Sequence, residues 1–284
     1  MFASSTAAKA LRRFCRLSLL VVLALGPIGC STFGGGGDDG DDVAFEERPP
    51  EDLYTEAQQL LGDNDFEDAA KAFEEVERQH PYSEWATRAQ LMAAYAYYEE
   101  TMYDEAIAAA RRFAELHPGN KDVPYAYYLV GMSYYERISD VGRDQQMTLD
   151  AMRSFDELVR RYPNSDYARD ARLKMDLARD HLAGKEMEIG RYYQKKERYV
   201  AAINRFRMVI EQYQTTSHVP EALHRLNESY LALGLTDEAR AAAAVLGYNF
   251  PDSDWYADSY ALLEGRGIAP GSEAEGESWL SRLF

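Results

Sequence analysis

Chemistry in this chain would have to come from a sparse set of side chains. Five histidines stand at 80, 117, 181, 218 and 224, and none has the His-Glu-x-x-His spacing that puts two imidazoles on one helical face for zinc. His80 and His117 each precede a proline, where a polar ring suits the end of a helix. There is no Gly-x-Ser-x-Gly elbow, no nucleophilic cysteine and no dinucleotide fingerprint. Acid pairs such as Glu74-Glu75 and Glu99-Glu100 are abundant, but adjacent residues on a helix do not converge on one substrate. The sequence therefore predicts no catalytic residue, no metal site and no cofactor. What it offers instead is 21 tyrosines. A tyrosine joins a large apolar ring to a hydroxyl at low entropic cost, which suits gripping an extended peptide.

The elements that position those rings follow from a repeat. Phe66, Ala69, Phe73 and Pro81 fall at positions 17, 20, 24 and 32 of a 34-residue helix-turn-helix template. Tyr97, Tyr103, Ala106 and Pro118 take 11, 17, 20 and 32 in the next block. Gly190, Tyr193, Tyr199, Ala202 and Phe206 take 8, 11, 17, 20 and 24 in the fourth, and Leu223, Tyr230, Ala239 and Pro251 mark the fifth. The third block fits in two registers: Tyr127, Gly131 and Tyr134 in its first helix, then Ala151, Phe155 and Pro163 after eight extra residues. Blocks close at 81, 118, 163, 214 and 251, so the first and last intervals are equal and the middle two are longer. This is the tetratricopeptide pattern. Small residues at two positions let paired helices approach, an aromatic fills the gap to the next pair, and proline ends the second helix. Asn164-Ser165 and Asp252-Ser253 then supply caps for the helix that follows.

The expected fold is all-α, a tetratricopeptide superhelix of five helix pairs. Residues 51–118 carry the first two repeats, and 119–163 the third with an inserted loop at 137–148. Residues 164–214 hold a long helix and the fourth repeat, with Gly184 as a point where that helix could bend. Residues 215–264 hold the fifth repeat and a capping helix, and 265–284 read as a disordered tail ending in Trp279-Leu280-Ser281-Arg282-Leu283-Phe284, a candidate docking peptide. In such a stack the first helix of each pair lines a groove. The groove-facing positions bring Arg88, Tyr95 and Tyr98 from the second block and Tyr125, Tyr128, Met132 and Tyr135 from the third. The competing reading packs these rings between helices, as template position assigns Tyr97, Tyr127 and Tyr134. The insertion, with Asp140, Arg143 and Asp144, is a second candidate surface, because a loop that costs ordering entropy is often used.

The chain's ends place it in the cell. Residues 1–29 hold Lys9, Arg12, Arg13 and Arg16, no acid, and an apolar run from Leu17 to Gly26 too short to span a bilayer. That is the pattern of a secretory signal peptide. It ends at Pro27-Ile28-Gly29-Cys30-Ser31, which resembles a bacterial lipobox with Cys30 as the lipidated residue, although proline stands where leucine is favoured. With Cys15 lost in the signal, Cys30 has no disulfide partner, and acylation is its simplest use. Gly34 to Gly37, four aspartates within 38–42 and Pro49-Pro50 then read as a flexible tether over 30–50. The formal charge of −17 becomes about −21 once the four cations of the signal are removed (−17 − 4). Such a surface disfavours nucleic acid as a partner.

Taken together, these features resemble the BamD (ComL) family of tetratricopeptide lipoproteins in the outer-membrane β-barrel assembly machinery. Asp52-Leu53-Tyr54-Thr55-Glu56-Ala57-Gln58-Gln59-Leu60, Ala94-Tyr95-Ala96-Tyr97-Tyr98, Gly142-Arg143-Asp144 and Tyr162-Pro163-Asn164-Ser165 carry the likeness, over about residues 30–250. It implies a subunit lipid-anchored to the periplasmic face of the outer membrane in a Gram-negative bacterium. It also implies binding to the BamA insertase and other machinery subunits, and receipt of unfolded outer-membrane proteins by the N-terminal repeats. Insertase contact is then expected around Asn204, Arg205 and Arg225. The alternatives are a periplasmic tetratricopeptide adaptor for cell-envelope or peptidoglycan enzymes, and an enzyme or carbohydrate-binding lipoprotein using acidic side chains.

Overall fold

The computed structural model describes residues 48–269; residues 1–47, with Cys30 and most of the tether, and residues 270–284 lie outside the described part. Five successive helix pairs run along the chain: α1 (Pro50–Gly62) with α2 (Phe66–Gln79), α3 (Glu84–Glu99) with α4 (Tyr103–Leu116), α5 (Val123–Tyr135) with α6 (Gln146–Arg161), α7 (Asp166–Lys195) with α8 (Tyr199–Gln212), and α9 (Val219–Ala232) with α10 (Thr236–Asn249). A last helix, α11 (Asp254–Glu264), follows. No strand occurs among the described residues.

Local chemistry sets the helix ends. Asn64 (φ 63°), Thr101 (φ 66°), Glu197 (φ 57°) and Gly234 (φ 75°) stand at the same register in the turns inside four of the pairs. Each reverses the chain in the left-handed region, where a side chain costs about 1–2 kcal/mol and glycine far less. Three serines start helices by accepting an amide of the first turn: Ser83 from Ala86 at 3.0 Å, Ser165 from Ala168 at 3.1 Å and Ser253 from Tyr256 at 3.3 Å.

Packing joins each helix to the next along the chain, and the odd-numbered helices also touch: α1 with α3, α3 with α5, α5 with α7, and α9 with α11. The even-numbered helices show no comparable mutual contact among the described residues. The odd helices are therefore the closer-set layer of the stack. The template's small and aromatic positions meet within a pair. A Cβ on Gly131 would collide with the Phe155 ring, and one on Gly190 with the Phe206 ring. Phe73, Phe113, Phe155 and Phe206 are all fully buried, one in each of the first four pairs, and carry the core from pair to pair.

The long helix accounts for one wide interval. α7 runs for 30 residues. Its helical hydrogen bonding passes through Gly184, whose missing side chain admits Val141 of the insertion and His218; a Cβ there would lie 3.2 Å from His218 Nε2. The first half of α7 packs on α5 and α6, and its second half carries α8. Order extends past the tail boundary expected at 265: Ile268 packs on the C-terminal core and Arg266 donates to the Leu231 carbonyl at 3.1 Å. The short connection from Leu263 makes this possible, since the Ile268 amide bonds back to the Leu263 carbonyl at 3.0 Å.

Candidate functional site

The odd-helix layer gathers tyrosines from three successive repeats. Tyr95 and Tyr98 come from α3, Tyr125, Tyr128 and Tyr135 from α5, and Tyr167 from the first turn of α7. Tyr125 and Tyr128 both lie against Tyr167, with ring centroids 5.2 and 5.4 Å apart. Tyr98 meets Tyr103 at 5.9 Å, and Tyr128 and Tyr135 rest on Phe155 at 6.1 and 6.2 Å. Five of these six rings are half-buried and Tyr167 is exposed, so one edge of each packs into the stack while another faces outward. Of the three rings that the template assigns to the interior, Tyr97 is 9% exposed and donates to Glu74 at 2.9 Å, whereas Tyr127 and Tyr134 are half-buried.

Carboxylates are threaded between the rings. The Tyr128 hydroxyl donates to Asp170 Oδ2 at 2.5 Å, and Lys174 lies over the Tyr135 ring at 5.1 Å. Burial pushes the Tyr98 phenol up to about 12, helped by Glu136. Burial likewise raises Tyr125 and Tyr128, with Tyr128 raised further by its bond to Asp170. Tyr95 is raised by burial and by Glu99, and Tyr135 by burial and by Glu136. All five hydroxyls therefore remain protonated at neutral pH. They form a surface of ring faces and hydroxyls edged by Glu99, Glu136 and Asp170, with the Tyr128 hydroxyl already donating to Asp170.

Two of the groove-facing assignments change. Met132 is 8% exposed and belongs to the core with Phe155, Ala171 and Met175. The long α7 packs over α5 at that point and covers a position that the template leaves open. Arg88 sits over Trp85 at 5.3 Å and lines a neighbouring cavity of about 650 Å³ with Tyr54, Leu91 and Phe113, apart from the tyrosine cluster. Tyr167 was not foreseen in the sequence, yet its signal was present. Ser83-Glu84-Trp85, Ser165-Asp166-Tyr167 and Ser253-Asp254-Trp255 share one capping pattern, and each aromatic stacks on the preceding odd helix: Trp85 on Tyr54, Tyr167 on Tyr125, Trp255 on His224.

The insertion is ordered by its own acids. Asp140 Oδ1 accepts the Gly142 amide at 2.8 Å, and Asp144 Oδ2 accepts the Gln146 amide at 3.2 Å at the head of α6. Both side chains shape the loop, and Arg143 remains exposed.

Farther along, Asn204, Arg205 and Arg225 are not brought to one contact set. Arg205 of α8 pairs with Glu186 of α7 at 2.9 Å, while Asn204 is exposed. Arg225 of α9 lies between Glu221 at 3.3 Å and Glu228 at 2.9 Å, with its guanidinium over Trp255 at 5.4 Å. Burial alone would raise Glu228, but the His224 ring 3.6 Å away and the Arg225 hydrogen bond at 2.9 Å override it and hold the carboxyl at about 2. No cluster of three potential metal ligands occurs among the described residues, and no described helix is long and apolar enough to cross a membrane.

Comparison with known proteins bears on these surfaces. Residues 46–246 match the family model YfiO, described as an outer membrane lipoprotein. An outer membrane protein assembly factor BamD of Caulobacter vibrioides is 52% identical over 231 residues, covering 81% of this chain and 76% of that one. BamD of Rickettsia prowazekii is 47% identical over 248 residues, covering 87% of this chain and 96% of that one. Among solved structures, the TPR2AB-domain:pHSP90 complex of yeast Sti1 is similar at 13% identity and a TM-score of 0.41, over 77% of this chain and 85% of that one. The repeat fold rests on the helix order and the glycine–phenylalanine contacts.

Proposed function

The chain belongs to the YfiO family of outer membrane lipoproteins, and from that premise we propose that its tyrosine surface receives unfolded outer-membrane proteins while its C-terminal repeats hold the insertase. The protein is an outer-membrane protein assembly factor and part of the machinery that its relatives are named for. Lipidation at Cys30 anchors it to the periplasmic face of the membrane, and residues 31–49 give the repeats reach from that anchor.

The observation that supports substrate binding is the run of half-buried tyrosines from Tyr95 to Tyr167 across α3, α5 and α7. Ring faces take aromatic side chains, hydroxyl oxygens accept peptide amides, and Glu99, Glu136 and Asp170 favour a neutral or basic segment. Insertase contact is assigned to Asn204 and Arg205 on α8 and to Arg225 on α9. These surfaces do not share a contact set, so one partner domain would have to span both or choose between them.

The test is binding of a labelled peptide with an aromatic end to the full chain, its Tyr95→Ala and Tyr128→Ala variants, and Tyr128→Phe. Alanine at either position is expected to weaken binding about 10- to 30-fold, a cost of roughly 2 kcal/mol typical of a buried aromatic anchor. Phenylalanine at 128 should lose less, since the ring remains. Unchanged binding in both alanine variants, with helical content intact by circular dichroism, would remove the groove reading. Separately, recovery of the protein from detergent extracts without a barrel-shaped insertase would count against the assembly role of α8 and α9.

A further inference from the structure

The odd-helix layer has one seam. α7 and α9 lack the close approach that the other neighbouring odd helices make, and long side chains bridge them instead. Arg191 reaches Glu221 at 3.0 Å, and Gln194 reaches Glu228 at 3.1 Å. The seam holds a cavity of about 470 Å³ lined by Arg191, Lys195, Arg225 and Arg266, with Leu262 and Tyr199 supplying apolar wall. Four cations face Glu228 within the lining and Glu221 beside it, so the pocket is locally positive in a chain of net charge −17. Lys195 has no ion-pair partner among the described residues, and Arg266 spends one nitrogen on the Leu231 carbonyl. A positive pocket with a free ammonium and a partly free guanidinium calls for a carboxylate-bearing ligand.

We propose that this pocket binds an acidic peptide segment, and that the segment it holds is the chain's own Glu273-Ala274-Glu275-Gly276-Glu277. Two observations select this occupant. The described chain ends at Ala269, three residues after Arg266, which is itself part of the pocket wall. The next residues, 271–278, carry three glutamates and no cation. At about 3.5 Å per residue, Glu273 can lie up to roughly 14 Å from Ala269 and Glu277 up to roughly 28 Å, enough to turn back across the cavity. Tethering over so few residues gives an effective concentration in the millimolar range, so weak ion pairs suffice for occupancy in cis. The pairing is electrostatic and weakens with salt.

Two measurements on the full chain decide this. In dilute protein, a zero-length carbodiimide should join the Lys195 amine to Glu273, Glu275 or Glu277 within one molecule, and at 0.5 M salt the yield should fall several-fold. In parallel, a labelled peptide Gly271–Ser278 is titrated into the parent chain and into an E273Q/E275Q/E277Q variant of the full chain. The variant, with its own acids neutralised, should bind the added peptide at least ten times tighter than the parent. Adding Lys195→Glu and Arg266→Glu to that variant should abolish the binding while the α-helical signal is kept. Equal peptide affinity in parent and variant, peptide binding to neither, or crosslinks only between molecules would each overturn the assignment.

Discussion

Replacing Gly190 by alanine sets two effects of known size against each other. In a helix interior, glycine to alanine gains about 1 kcal/mol from propensity. At Gly190 the new methyl would meet the Phe206 ring, lying 2.8 Å from Cδ1 and 2.9 Å from Cζ with Cε1 nearer still. Phe206 is fully buried between α8 and its neighbours, so the ring has no free space to enter. Forcing a methyl into a packed core costs about 1–3 kcal/mol, and here the contact involves three ring atoms rather than one, which favours the upper end. The net expectation is destabilisation by about 1–2 kcal/mol. Gly62 is the internal control: it closes α1 with nothing within 4 Å of an added Cβ, so Gly62→Ala should stabilise by up to about 1 kcal/mol. Urea unfolding followed by circular dichroism on the parent and both variants reads the two signs directly. A Phe206→Leu background should recover about 1 kcal/mol of the Gly190→Ala loss, because leucine leaves room for the methyl. If Gly190→Ala stabilises as Gly62→Ala does, the close pairing of α7 with α8 through that glycine is refuted.

Two other outcomes follow from single residues. Thr101→Gly should stabilise by about 0.5–1 kcal/mol, since threonine is held at φ 66° in the α3–α4 turn, whereas Gly234→Ala at φ 75° should destabilise by about 1 kcal/mol; thermal melts that rank these two the other way would remove the left-handed turn as the cause. Glu228 sits at about 2 in the folded chain against an ordinary 4.5, so its contribution is complete above about pH 4.5 and is lost as pH falls towards 2. The carboxylate is one-third exposed, so after screening its worth is on the order of 1 kcal/mol. The stability gap between the parent and Glu228→Gln should therefore narrow between pH 5 and pH 2, and a gap that stays constant would show that Arg225 and His224 do not hold the charge.

The fold was legible because its signal is spaced residues rather than composition. Gly131 and Phe155, or Gly190 and Phe206, occupy template positions that are meaningful only if paired helices touch there, and the rings do meet those glycines. Groove geometry was less legible because the template assumes uniform stacking. The first half of α7 covers α5, so Met132 is buried where a regular repeat would expose it. The same displacement brings Tyr167 onto Tyr125 and Tyr128 from a position that a count from the proline or the glycine does not reach. The capping triplet Ser165-Asp166-Tyr167, read beside Ser83-Glu84-Trp85, would have placed it. Asn204, Arg205 and Arg225 show a different limit: the family resemblance named them together, and helix alternation divides them between the even layer and the odd layer.

One irregularity also separates the two binding chemistries. Because α7 spans two stacking units, the odd layer is continuous from α1 to its first half and is interrupted only where its far end faces α9. The continuous part presents tyrosines edged by Glu99, Glu136 and Asp170, and repels acidic peptides. The interrupted part presents Arg191, Lys195, Arg225 and Arg266, and repels basic ones. A ligand suited to one surface is therefore mismatched to the other by charge, not by shape alone, and such mismatches are what keep two clients of one scaffold from exchanging places. Shortening α7 by one turn between Arg179 and Lys185 would test the separation: every lining residue of the cationic pocket follows the cut and moves with α8 and α9, so each surface should keep its own ligand while the placement of one against the other changes.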